Sequence, residues 1–132
     1  MIGIDTNVVV RFLAQDDETQ SPIAADVMAS LTRERPGFIG SVVLAEITWV
    51  LSRAYKAPRA EIAAAVEGLL RSAELIVENS EAAYRALAAY RASNTAEFAD
   101  ALIAETAFLA GAAETVTFDR NAAASLAMRL LP

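Results

Sequence analysis

Four carboxylates stand where a folding chain has little structural reason to put them: Asp5, Glu46, Asp100 and Asp119. Asp5 ends the apolar opening "MIGID" and Asp119 ends "TVTFD", so each closes a stretch that reads as a short strand. Taken singly, either is explained as a turn or helix cap. Ligands of open α/β sheets bind beyond the carboxyl ends of the strands, so two such residues on one rim also suggest a ligand corner. Asp100 lies inside "FADALIAETAFLA", where its helical neighbours are Ala96, Ile103, Ala104 and Ala107, while Phe98, Leu102 and Leu109 take the opposite side. A carboxylate between two apolar faces is paired, protonated or bound to a cation. That face of the helix carries no Lys or Arg. Glu46, in "VVLAEITWVL", shares a stripe with Val42, Trp49, Val50 and Arg53; its plain reading is a surface glutamate at the edge of an amphipathic face.

What the chain lacks narrows the chemistry further. It has no Cys and no His, which excludes disulfides, thiolate nucleophiles, imidazole bases and cysteine-held zinc. Carboxylates gathered together repel one another and call for a cation. Oxygen donors alone select Mg2+ or Mn2+, metals suited to activating water and neutralising a phosphate. The net charge of −6 opposes binding of nucleic acid by bulk electrostatics, and a metal-filled acidic pocket answers that objection, with Arg11, Arg53, Lys56 and Arg59 as candidate flanking contacts. Asp16, Asp17 and Asp26 read as surface residues, as do Glu61, Glu67 and Glu105.

The elements that would position these groups alternate. Strands are expected at Ile2 to Asp5, in "GFIGS", "ELIVENS" and "ETVTFD", with a small fifth in "MRLL". Helices are expected from Thr6, from Ser21-Pro22 with proline at the first position, from Ser41 as cap, from Pro58, from Ser80 as cap, through "AEFADALIAETAFLA" to Gly111, and in "NAAASLA". Alternation without hairpin signals predicts an α/β fold, a three-layer α/β/α arrangement on a short, mainly parallel sheet. Length predicts one domain over 1–132. No apolar run reaches the roughly 18 residues of a membrane span, and the first residues lack the basic start of a signal peptide, so a cytoplasmic protein is expected.

"IDTNVVVRFL", "VVLAEITWVL" and "FADALIAETAFLAGAAETVTFDR" together resemble the PIN domain family, in particular its VapC-type toxins, over essentially the whole chain. The resemblance implies a Mg2+- or Mn2+-dependent ribonuclease acting on RNA, a homodimer, and inhibition by a small antitoxin protein with a basic segment. Carried across, Asp5, Glu46, Asp100 and Asp119 match the acidic quartet that holds metal. Thr6, Asn7 and Thr117 match the polar positions beside it. Where many relatives read "DRD" after the fourth strand this chain reads "DRN", so Asn121 removes a possible fifth carboxylate. The competing reading is a PIN-like protein-interaction module without catalytic activity.

Overall fold

The computed structural model describes residues 1–132, which form two compact units, Met1–Glu78 and Asn79–Pro132. In the first unit the order is β1 (Ile2–Gly3), α1 (Thr6–Ala14), α2 (Gln20–Ser30), β2 (Gly37–Ile39), α3 (Ser41–Arg53), α4 (Arg59–Arg71) and β3 (Leu75–Val77). The strands pair in parallel in the order β1-β2-β3, with Gly37 opposite both Ile2 and Leu75 and Ile39 opposite Val77. Both crossovers step the same way along the sheet, so their right-handed sense sets both helix pairs on one face. There α1 packs on α2 and α3, and α3 packs on α4. Val9, Ile39, Leu44, Ile47 and Val66 are fully buried, each stabilising the fold by about 1.5–3 kcal/mol relative to exposure. β2 leaves little room at its first residue: a Cβ on Gly37 would lie 2.9 Å from the Leu31 side chain, 3.0 Å from that of Leu75 and 3.1 Å from that of Ile4, so those side chains would have to shift.

The join between α1 and α2 is held by side chains that sequence pattern did not single out. α1 ends where Gln15 turns left-handed (φ 54°), and the buried Ser21 hydroxyl donates to the Arg11 carbonyl at 2.9 Å. α2 begins at Gln20, earlier than the Ser21-Pro22 opening expected. The reason is Asp17, whose carboxylate accepts from the Thr19 and Gln20 amides at 3.0 and 2.6 Å and so starts the turn. Those bonds, led by the one from Gln20, hold the Asp17 carboxyl below its ordinary range. Asp17 is therefore a structural residue and not an idle surface acid. The Ser41 expectation is also corrected: Gly40 is the cap residue of α3, and Glu78 reaches back so that its Oε1 accepts from the Ser41 amide at 2.8 Å.

The second unit runs α5 (Ser80–Ala92), α6 (Phe98–Leu109), β4 (Val116–Thr117), α7 (Arg120–Leu126) and β5 (Arg129–Leu130). Its two strands are again parallel. α5 and α6 pack together through small buried positions, Ala82, Ala83 and Ala86 on one and Ala101 on the other, beside the larger Leu87, Tyr90, Phe98 and Leu102. Tyr90 meets Phe98 edge-on at 6.1 Å, and Arg85 bridges to Glu105 at 2.7 Å, so Glu105 is engaged where a solvated residue was expected. Asn79, at φ 50°, stands at the cap of α5 in place of Ser80, with no side-chain bond. Gly111, at φ +99°, closes α6 as expected. No helix is long and apolar enough to cross a membrane.

Candidate functional site

Asp5 is the cap of α1: its Oδ1 accepts from the Thr6 amide at 2.8 Å. The cap reading is thus correct, and it does not exhaust the residue, because Oδ1 alone takes that bond and the side chain remains exposed. One residue on, the Thr6 hydroxyl donates to Glu46 Oε1 at 2.8 Å, so a bond spanning forty positions ties the start of α1 to the middle of α3. The first unit therefore brings Asp5, Thr6 and Glu46 together. Asn7 is exposed and lines a groove of about 290 Å³ between α1 and α2 with Val8, Arg11 and Val27.

Asp119 repeats the arrangement in the second unit. It caps α7 through a bond from the Ala122 amide to Oδ1 at 2.9 Å, and its own amide donates to the Thr117 hydroxyl at 2.9 Å. Thr117 thus sets the turn that carries Asp119. Asp100 lies in the first turn of α6, half-buried beside the fully buried Ala101. Burial pushes its carboxyl above the ordinary range, and the charges of Glu97 and then Asp119 push it the same way. Asp100 and Asp119 are therefore close enough to repel, and no cation relieves Asp100. Glu97, the cap residue of α6, belongs to this acidic corner although sequence analysis passed over it; its place three positions ahead of Asp100 was the available signal. Neither unit gathers three acidic side chains into a group that holds an ion by itself.

The donor chemistry fits a hard divalent ion. Every candidate ligand is a carboxylate, and the uncompensated charge at Asp100 is what a cation would relieve. Among the flanking cations, Arg11 is engaged within the fold: its guanidinium donates to Gln20 Oε1 at 2.8 Å and lies 3.6 Å from Asp16. Arg53 stacks on the exposed Trp49 ring at 4.6 Å, and Lys56 is exposed.

Neither a curated protein nor a solved structure matches this chain. The family model for the PIN domain matches residues 2–125. Seven helices and short parallel strands agree with the α/β/α PIN-like class expected from the sequence. PIN domains are typically nucleases, generally dependent on a divalent metal, and with residues 2–125 matched the chain belongs to the PIN domain family.

Proposed function

We propose that this protein is a Mg2+- or Mn2+-dependent endoribonuclease, the toxin of a toxin–antitoxin pair, with Asp5, Glu46, Asp100 and Asp119 holding the metal and the whole of 1–132 acting as one PIN domain. The observation that carries the reading is Asp100, a half-buried carboxylate repelled by its acidic neighbours, in a chain of a nuclease family. A divalent ion held by these carboxylates supplies activation of water and neutralisation of phosphate charge. Thr6 orients Glu46 through its hydroxyl, and Thr117 fixes the backbone turn from which Asp119 projects. With no His in the chain to drive attack by the ribose 2′-hydroxyl, hydrolysis leaving a 5′-phosphate and a 3′-hydroxyl is expected. The test is cleavage of RNA by the purified protein with Mg2+ or Mn2+. Undiminished cleavage in excess EDTA counts against the metal, and 2′,3′-cyclic products count against the direct hydrolysis.

The antitoxin part of the reading is supported by an apolar groove of about 650 Å³ in the first unit, lined by Phe12, Leu13, Met28, Ala64, Gly68 and Leu69. Phe12 and Leu13 line this groove and Trp49 is exposed, whereas Val9 and Leu51 are buried in the core. A partner chain with an apolar anchor and a basic tail matches a protein offering both a groove and an acidic corner. The protein would act as a homodimer, which sedimentation of the purified chain tests.

A further inference from the structure

Asp100 and Asp119 sit on separate segments of the second unit, one in the first turn of α6 and one at the cap of α7. The segment ahead of α6 is a tight turn in which the Thr95 and Ala96 amides both donate to the Ser93 hydroxyl, at 3.1 and 2.9 Å. Ala96 is fully buried, which anchors the turn. From the other side, Asn121 donates through Nδ2 to the Thr95 carbonyl at 2.8 Å, a short, well-formed bond. Asn121 is two residues beyond Asp119, and Thr95 is five residues ahead of Asp100. This one side chain therefore ties together the two segments that carry the acids.

The chemistry of the tie requires an amide. An ionised carboxylate has no N–H to give, and at 121 it would set an oxygen against the Thr95 carbonyl. We infer that Asn121 is a positioning residue, which fixes the spacing of Asp100 and Asp119 for the metal through its bond to Thr95. This inference rests on the metal-nuclease reading above. The opposing assignment makes 121 a ligand position, at which an acid binds metal better than an amide.

Asn121→Ala and Asn121→Asp separate the two, with Asp100→Asn as reference, all in the full chain. Mn2+ binding is followed by the electron paramagnetic resonance of the free ion, and exchange of the Ala96 and Ala122 amides by NMR. Both Asn121 variants are expected to bind Mn2+ more weakly, by on the order of 10-fold, the lower end of the effect of losing a partner that orients a ligand, because the bond is open to water. Exchange at Ala96 quickens, and in RNA cleavage the half-saturating Mn2+ concentration rises while kcat at saturating Mn2+ is kept. Tighter Mn2+ binding by Asn121→Asp, or unchanged binding by both variants, overturns the inference. Asp100→Asn binding Mn2+ as well as the parent protein overturns the metal reading and the inference with it. That failure is recognisable because exchange at Ala96 still reports the tie.

Discussion

Asp100 concentrates the electrostatic cost of the proposed site. Its carboxyl is held above 3.8, first by burial and then by Glu97 and Asp119. Between 3.8 and that raised value the folded protein holds more protons than the unfolded chain, so stability falls as pH rises through the window. Asp100→Asn should therefore raise the melting temperature of the metal-free protein at pH 7, and the gain should vanish below about pH 3.8, where both states carry the proton. Thermal melts in EDTA across that range check the sign. With metal present, the same variant should lose RNA cleavage by on the order of 100-fold or more. Unchanged activity per folded molecule would return Asp100 to a structural role. Thr6→Val removes only the hydroxyl that bonds Glu46; its stability should change by about 1 kcal/mol or less, while cleavage falls as Glu46 loses its orientation.

At the scale of elements, two joints decide whether the first unit forms. Asp17→Ala removes the acceptor for the Thr19 and Gln20 amides and should lower the melting temperature at neutral pH. Because the Asp17 carboxyl is held below 3.8 in the folded state, its contribution is present above 3.8 and lost as pH falls through the lower folded value. The variant and the parent should therefore converge in acid. Gly37→Ala forces Leu31, Leu75 and Ile4 apart at the middle strand and should cost about 1–3 kcal/mol, read from denaturant melts. These joints also mark what the sequence could and could not tell. Helix and strand positions were legible because periodicity and Gly or Pro punctuation are local, and the acids stood out as charges among apolar neighbours. The start of α2 was misplaced because Ser21-Pro22 is a stronger local signal than an aspartate four positions earlier. Glu78 as partner of Ser41, Thr6 as partner of Glu46 and Asn121 as partner of Thr95 join positions that are distant in the chain, and no local pattern announces them.

The whole molecule carries a net charge of −6, so a polyanion approaches it against the field unless metal is present. The same acidity makes it a target for a cationic side chain. A partner that inserts Arg or Lys among the acids would pair with them and exclude the metal. A cognate partner's basic segment should therefore inhibit RNA cleavage, and added Mg2+ or salt should weaken the inhibition. Titration of activity against partner at two Mg2+ and two NaCl concentrations gives the answer. Inhibition indifferent to both would place control away from the acids, with the groove at Phe12 and Leu13 as the next surface to test.

The bond from Glu78 to the Ser41 amide has a kinetic consequence. Glu78 follows β3 directly, and β3 must pair with β2 before that carboxylate can reach the first turn of α3, 37 positions back in the chain. Closing so long a loop is slow compared with forming the helix itself. During refolding, the body of α3 should gain protection early and the Ser41 amide late, in step with the Glu78 amide, which donates to the Ile39 carbonyl of β2. Ser41 is thus a clock for the first unit: pulse-labelled exchange at this one amide records the moment its third strand arrives.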